Sequence, residues 1–234
     1  TLPHLIDFAS LIKKEHSVEP LIAFSVILDS ESNSEIFDKK KVLEEAISKV
    51  ITSENQIKFI TRLDINVVSG ISMAVKENGI SDIVIGWIEK TKTFNKIFGS
   101  ILDNLLKNTW QTIFLCNLKR QLNLTSRIIV FVPDNSVKEN GFTKWINKIV
   151  RIGNILQRRI IFFCNIQSMN VIRQYFYLKQ VNLHIGFVSF TNYSNLEIIK
   201  DEFSENDLLI LINARIGSLS YQPIMEQLPD FVLK

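Results

Sequence analysis

The feature that most constrains the fold of this chain is a regular alternation of two kinds of sequence. Short apolar runs such as LIAFSVIL (21–28) and DIVIG (82–86) are each followed by a longer stretch in which apolar residues recur every three or four positions. The first pattern is typical of a strand buried on both faces, and the second of an amphipathic helix. Strands that alternate with helices predict an α/β fold with a mostly parallel sheet flanked by helices.

The alternation occurs twice, and the two halves follow the same order of elements. The predicted strands of the first half are residues 21–28, 57–64, 82–87 and 112–116. In the second half they are RIIVFVP, RRIIFFCN, LHIGFVSF and DLLILIN, with helices expected from Phe142, around 168–178 and near Asn195. The polar segment LKRQLNLTS (118–126) joins the halves. We therefore predict two tandem Rossmann-like repeats, in domains 1–118 and 122–234.

The two halves differ in what they lack. The first opens on a predicted helix, with no strand equivalent to RIIVFVP before it, and the second has no strand equivalent to TIFLC at its end. A helix with no neighbouring strand to pack beside is a poor start for an α/β domain. We therefore expect that residues are missing at both ends and that the chain is a piece of a longer protein.

Composition and charge exclude several classes of protein. Hydrophobic residues make up 46% of the 234 residues, which is enough for sizeable cores, and the net charge of +3 is too small to argue for nucleic acid. No apolar stretch approaches the roughly 18 residues that cross a membrane. Cys116 and Cys164 each lie in an apolar run without a CxxC neighbour, so we predict reduced core thiols. The histidines lack metal-ligand spacing, so no metal site is predicted.

The stretch GWIEKTKTFNKIFGS (86–100) has the outline of a phosphate site. Gly86 ends a predicted strand, and Gly99 and Ser100 stand where a helix is expected to begin. Glycine lets backbone N–H groups approach a phosphate, and a helix N-terminus adds favourable partial charge. Glu89 opposes this, because two like charges about 4 Å apart repel by roughly 1 kcal/mol in water. The nearby lysines offset part of that repulsion; in the alternative interpretation, the glycines only cap a strand and a helix.

Other candidate binding residues follow the remaining strands. Asp64 ends the second strand and is suited either to binding ribose or to capping the next helix. Asp134 lies in the loop VPDNS, which is either part of a nucleotide site or an ordinary turn. Arg215, Gly217 and Ser218 follow the last strand. Arg215 can hold a phosphate with two hydrogen bonds, or it can pair with Glu226 or cover the sheet edge.

These motifs resemble the universal stress protein family, whose members carry G-x2-G-x9-G-[S/T] after the fourth strand. Here Gly86, Glu89 and Gly99-Ser100 reproduce that spacing, with glutamate in place of the middle glycine. The resemblance extends over nearly the whole chain and implies two adenine nucleotide alpha hydrolase-like repeats. It implies ATP, AMP or a cyclic dinucleotide as ligand, with none certain. The residues it indicates for binding are Gly86, Gly99, Ser100, Asp64, Asp134, Arg215, Gly217 and Ser218.

A second resemblance concerns the wider context of the chain. The segments ARIGSLSYQPIMEQLP and ENGFTKW are similar to the paired stress-protein domains at the cytoplasmic C-terminus of bacterial sodium or potassium/proton antiporters. This implies a regulatory domain on the cytoplasmic face of the inner membrane. Its partners would be a membrane transporter domain of the same polypeptide and a second copy, without nucleic acid.

The sequence shows no motif of an enzyme. GxxxxGK[ST], GxSxG and HExxH are all missing, and we expect the chain to be non-catalytic. Two alternatives stay open. One is a free cytoplasmic stress protein that binds ATP, and the other is an adenine-nucleotide hydrolase on the same scaffold.

Overall fold

The computed structural model describes residues 1–14, 17–29, 31–48, 56–87, 92–191, 193 and 203–228, and of residues 92–98 it describes the backbone alone. By its internal contacts the chain divides into two compact units, Thr1–Arg120 (unit 1) and Gln121–Lys234 (unit 2). Both alternate helices with parallel strands, so the predicted α/β class is confirmed. The helix expected near Asn195 lies outside the described residues. Within the described parts, no helix is long and apolar enough to cross a membrane.

Unit 1 contains four helices and four strands among its described residues. The helices are α1 (Leu2–Ile12), α2 (Asn33–Ser48), α3 (Val67–Glu77) and α4 (Lys92–Asn108). The strands are β1 (Leu21–Leu28), β2 (Ile57–Asp64), β3 (Asp82–Gly86) and β4 (Thr112–Cys116), close to the predicted ranges. They form two parallel pairs, in which Leu21 lies opposite Ile57 and Asp82 lies opposite Thr112.

Helix α1 packs against both strand pairs of unit 1. The ring of Phe8 lies edge-on to Phe114 of β4, with the ring centroids 5.6 Å apart. A methyl group added to Gly86 of β3 would come within 2.6 Å of Leu5 Cδ1, so a larger residue there would require the end of the Leu5 side chain to shift. The buried Ile6 packs with Ala46 of α2. Helix α2 is capped by polar residues at its own start, where the Glu35 carboxylate accepts the Ser32 N–H at 2.8 Å.

Within its described residues, unit 2 has one four-stranded parallel sheet with strand order β7-β6-β5-β8. The strands are β5 (Arg127–Phe131), β6 (Ile160–Cys164), β7 (Ile185–Ser189) and β8 (Asp207–Leu211), and the helices are α5 (Phe142–Leu156) and α6 (Ile166–Leu178). Strand β5 lies between β6 and β8, so both of its edges are paired. Its side chains are also buried on both faces of the sheet. Its residues 128–131 are all at most 1% exposed.

An aromatic core lies next to the carboxyl end of β5. Phe131, Phe163, Phe190 and Tyr193 form it together with Met225. The Tyr193 side chain is 2% exposed, and its hydroxyl lies 2.5 Å from the Ile212 carbonyl and 3.1 Å from the Phe131 carbonyl. This buried hydroxyl therefore ties the residues that follow β5 and β8, which is where the candidate site begins.

Candidate ligand site at the carboxyl ends of the strands

The strand order of unit 2 reverses at β5. From β5 the chain moves to β6 and β7 on one side, and it then returns to place β8 on the other side of β5. In open α/β sheets, ligands bind outside the carboxyl ends of the strands at such a reversal. The loops that leave β5 (132–141) and β8 (212–222) start at this edge, and they hold the predicted residues Asp134, Arg215, Gly217 and Ser218.

Asp134 is held by the first residue after β6. Asn165 donates from Nδ2 to Asp134 Oδ1 at 2.5 Å, and its own Oδ1 accepts the Ser168 N–H at 2.8 Å as the N-cap of α6. The loop around Asp134 is a tight turn, because Ser136 N–H donates to the Pro133 carbonyl at 3.2 Å. Asp134 thus joins the ends of β5 and β6, and the turn expected as the alternative interpretation of VPDNS is present.

A second carboxylate ties the two loops of the site to each other. Glu139 Oε1 accepts hydrogen bonds from Ser220 N–H at 2.8 Å and from Ser220 Oγ at 3.0 Å. Ser220 is only 3% exposed, so its N–H depends on this acceptor. A backbone N–H and a hydroxyl that converge on one oxygen are the donors that an anion takes in many binding loops. In unit 2 an internal carboxylate accepts them.

The other predicted residues of this loop form a turn. Ser218 N–H donates to the Arg215 carbonyl at 3.0 Å, and Gly217 between them has a φ of 88°. A positive φ at the third position of a turn favours glycine, which explains why the sequence has glycine there. The Arg215 guanidinium is partly buried, and this burial lowers its pKa from the ordinary value. Tyr221 OH donates to the carboxylate of Glu226, which is one of the alternative partners that the sequence offers for Arg215.

Two buried polar atoms near these loops have no hydrogen-bond partner among the described residues. They are the Oγ of Ser136, a residue 2% exposed in the turn after β5, and the Oε1 of Gln222, which follows the Ser220 loop. Buried polar groups are usually satisfied, and exceptions often mark a place where water or a ligand binds. Both atoms belong to the loops that leave β5 and β8.

The phosphate motif of unit 1 is arranged differently from the prediction. Helix α4 begins at Lys92, not near Gly99, so Gly99 and Ser100 lie inside the helix. Backbone N–H groups inside a helix bond to carbonyls one turn earlier and are not offered to an anion. The predicted helix start at Gly99 is therefore wrong. The apolar spacing of Phe94, Ile97 and Ile101 gives the reason, because it continues the helical period upstream.

The remaining motif residues of unit 1 have structural contacts of their own. Gly86 contacts Leu5 as described above, and Ser100 is exposed with its carbonyl accepting from Asn104 Nδ2 at 2.8 Å. Glu89, whose charge decides whether the motif can hold a phosphate, lies outside the described residues. Gly86 and Gly99 therefore stay predictions as ligand contacts.

Asp64 stands at the carboxyl end of β2 and is engaged by neighbouring residues. Its carboxylate accepts Ile65 N–H at 2.8 Å and Arg62 Nε at 3.2 Å. A hydrogen bond from the Ser69 side chain, helped by those from Ile65 and Arg62, holds the pKa of Asp64 below its ordinary value. The N-cap of α3 is Asn66, so the expectation that Asp64 caps this helix is wrong. Asn66 is the N-cap because it lies directly before the first helical turn, where its side chain accepts the Ser69 N–H.

The described residues show neither a metal-binding cluster nor a thiol with a lowered pKa. They contain no group of three or more histidine, cysteine or acidic residues placed to bind a metal ion. Burial raises the pKa of the Cys116 thiol to about 12 and that of Cys164 to about 11, so both thiols stay protonated at neutral pH. A cleft of about 380 Å³ opens beside Leu2, Phe24 and α2, and its lining includes none of the predicted site residues.

Sequence reasoning did not assign roles to Glu139, Asn165 and Ser220. Asn165 carried a usable signal, because it is the polar residue directly after a predicted strand, where parallel sheets place their ligands. Glu139 and Ser220 are separated by 81 positions, and no local pattern connects them. Their contact depends on β5 and β8 being neighbours.

The sequence matches no protein-family model and no curated relative. Among solved structures, the chain is similar to a provisionally assigned universal stress protein from Pseudomonas aeruginosa UCBPP-PA14. The TM-score is 0.57 at 11% identity, and the match covers 96% of this chain and 84% of that one. It is also similar to the cytoplasmic domain of a prokaryotic cation chloride cotransporter, with a TM-score of 0.51, 9% identity, and coverage of 80% and 72%.

These two similarities establish the fold. The chain has the α/β architecture found in a universal stress protein, with parallel strands flanked by helices. The same architecture also occurs in the cytoplasmic part of an ion transporter. At identities near 10% they do not transfer a ligand or an activity.

Proposed function

We propose that this chain is a non-catalytic regulatory domain of a bacterial cation/proton antiporter, attached to the transporter on the cytoplasmic face of the inner membrane. Two independent observations support the proposal. The segments ARIGSLSYQPIMEQLP and ENGFTKW resemble those of antiporter C-terminal domains. A solved structure of similar fold is a transporter's cytoplasmic domain.

The proposal of a non-catalytic domain rests on the hydrogen bonds that the acidic groups make at the candidate site. Ser220 donates to Glu139 and Asn165 donates to Asp134, so each carboxylate has a structural role in holding a loop. Both connect loops that follow different strands. Such ties transmit a change in one loop to another, which is what a regulatory domain requires.

Within this function we propose that the loops of unit 2 sense an adenine nucleotide or a cyclic dinucleotide. The donors on Ser220 suit a phosphate oxygen, and Arg215 in the same loop carries a positive charge. A bound phosphate takes the place of the Glu139 carboxylate, and it thereby releases the loop after β5 from the loop after β8.

Calorimetric titration of the purified chain with ATP, AMP and a cyclic dinucleotide tests the sensing step. Glu139→Gln is the matched variant, because it keeps the shape and removes the charge that competes with phosphate. A like charge at roughly 4 Å is worth about 1 kcal/mol in water, so we expect Glu139→Gln to tighten ATP binding about fivefold. Equal affinity for both proteins, or no binding at millimolar ligand, contradicts the sensing step.

The regulatory step needs the whole polypeptide. Cation/proton exchange is measured in vesicles that contain the transporter with and without this domain. We expect deletion of the domain to change the rate or its ligand dependence. Identical exchange in both preparations contradicts a regulatory role.

A free-standing tandem universal stress protein that binds ATP is the second candidate. It is favoured by the extent of the match to the stress protein from Pseudomonas aeruginosa, which covers 96% of this chain. An open reading frame barely longer than this chain supports this candidate, whereas about ten or more upstream apolar segments of roughly 20 residues support the antiporter.

A further inference from the structure

Charge is distributed very unevenly along the chain. Residues 140–191, which the structure describes without a gap, contain seven lysines and arginines and no aspartate or glutamate. The chain as a whole has 27 basic and 24 acidic residues, so outside this segment the acidic residues outnumber the basic ones. Such a charge asymmetry is typical of a surface that meets an anionic partner. We call residues 140–191 the basic segment.

The basic segment folds into α5, β6, α6 and β7, and its two helices contact each other through their side chains. The ring of Phe142 at the start of α5 lies edge-on to Tyr175 of α6, with the ring centroids 5.7 Å apart. The Tyr175 hydroxyl also donates to Asn147 Oδ1 of α5. Because the helices are neighbours, their exposed residues, including the C-caps, form one surface, which we call the α5–α6 surface. The basic residues that are exposed on it are Lys144, Arg173 and Lys179.

The acidic residues that precede α5 in the chain are held at one edge of the sheet. Asp134 and Glu139 lie in the loop after β5, at the carboxyl ends of the strands, where they accept hydrogen bonds from Asn165 and Ser220. Helix α6 leaves this edge and ends at the opposite one, where β7 begins. The last turn of α6 and its C-cap, Lys179, therefore lie away from both carboxylates.

Large apolar side chains are exposed on the same two helices. Tyr177 and Leu178 in the last turn of α6 are 83% and 66% exposed. Ile155 in the last turn of α5 and Ile166 at the start of α6 are also more than half exposed. The outer face of a helix in a globular domain is normally polar. Exposed apolar side chains beside lysine and arginine are instead typical of helices that lie on a membrane surface.

The last turn of α6 combines the three kinds of side chain that an interface of lipid and water favours. The guanidinium carbon of Arg173 lies 4.9 Å from the centroid of the Phe187 ring of β7, and this cation–π contact helps to hold the charge in place. Tyr177 follows four positions later and therefore lies on the same face of the helix. Tyrosine is enriched at the level of the headgroups, and leucine gains from leaving water.

We infer that the α5–α6 surface of unit 2 binds the anionic phospholipid headgroups of a membrane surface. Its exposed lysines and arginine contact the phosphates, while Tyr177 and Leu178 enter the headgroup region. A nucleic acid offers phosphates too, but its binding depends mainly on charge and stacking and leaves exposed aliphatic side chains without a role. The inference goes beyond the proposed function, because it needs no transporter and holds equally for a free-standing chain.

Sedimentation of the purified chain with lipid vesicles tests the inference. One set of vesicles is phosphatidylcholine alone, and the other contains an equal part of phosphatidylglycerol. We expect binding to the anionic vesicles only, and weaker binding at high salt, which screens the charges. The triple variant Lys144→Gln, Arg173→Gln and Lys179→Gln should bind about 100-fold more weakly, because each basic residue near an anionic surface contributes about fivefold.

The matched control for charge removes three exposed lysines of unit 1, through Lys41→Gln, Lys76→Gln and Lys107→Gln. It has the same net charge as the first triple variant, and we expect its binding to change by about twofold or less, because distant exposed charges are screened.

The apolar contribution is tested with a second pair of variants. Leu178→Ser should weaken binding to anionic vesicles about fivefold, because its side chain no longer gains from leaving water. Leu63→Ser in β2 is the matched control, since Leu63 is 63% exposed and Leu178 is 66% exposed. We expect Leu63→Ser to bind like the unmodified chain. Urea unfolding of each variant confirms that it is folded.

Three outcomes overturn the inference. The first is equal binding to neutral and anionic vesicles, and the second is an equal loss of binding in the two triple variants. The third is binding of a fluorescent oligonucleotide, measured by anisotropy, without binding to anionic vesicles, because that result assigns the surface to nucleic acid. None of these measurements involves ion exchange, so their failure is distinct from failure of the regulatory role.

Discussion

The two hydrogen bonds between Glu139 and Ser220 allow a quantitative test of how much the contacts at the candidate site stabilise unit 2. Ser220 is 3% exposed, and both its N–H and its Oγ lie within 3.0 Å of Glu139 Oε1. Glu139→Ala leaves a buried N–H without its acceptor, so we expect it to lower the free energy of unfolding of unit 2 by about 2 kcal/mol. Glu139→Gln keeps a neutral acceptor, and we expect a loss of about 1 kcal/mol.

The assay is urea unfolding followed by the fluorescence of Trp145 alone. Trp87→Phe and Trp110→Phe remove the other two tryptophans, so that the signal reports unit 2. Ser220→Ala removes the hydroxyl, and Ser218→Ala is the matched control in the same loop. We expect a coupling free energy of about 1 kcal/mol between Glu139→Ala and Ser220→Ala, and none with Ser218→Ala. Equal coupling for the two serines would refute the argument that the carboxylate binds Ser220.

Four further predictions concern other parts of the chain. Gly99→Ala should stabilise unit 1 by about 1 kcal/mol, because a methyl group there meets no heavy atom of the described residues within 4 Å and alanine favours a helix. Gly86→Ala should destabilise it by about 1 kcal/mol through the contact with Leu5, and thermal unfolding that ranks the two variants in the opposite order contradicts this. Tyr193→Phe should cost unit 2 about 1 to 2 kcal/mol in urea unfolding, because the Ile212 carbonyl loses its buried donor; an unchanged midpoint shows that the hydroxyl contributes nothing. Because the pKa of Asp64 is lower in the folded than in the unfolded protein, its carboxylate stabilises unit 1 at pH values above the unfolded pKa of about 4, and this stability is lost as the pH falls through the folded pKa. Asp64→Asn should therefore make the free energy of unfolding depend less on pH in the acid range. An identical pH profile for both proteins contradicts this prediction.

Local sequence patterns determined most of the secondary structure. The strands LIAFSVIL and IKFITRLD were predicted at residues 21–28 and 57–64, where β1 and β2 lie. LIAFSVIL could be recognised because it is a dense apolar run, and IKFITRLD because apolar and polar residues nearly alternate along it; both signals depend only on neighbours in the chain. The same kind of information misplaced the start of α4. The glycine at position 99 suggested a boundary, but the apolar helical period runs through it.

Tertiary structure decided how the candidate site is assembled. The hydrogen bonds of Glu139 with Ser220 and of Asp134 with Asn165 join residues 81 and 31 positions apart, and both exist because β6 and β8 lie on either side of β5. Periodicity reports which face of an element is apolar, because that depends on nearby residues. It does not report which element covers that face, because this depends on how the whole chain closes into a sheet.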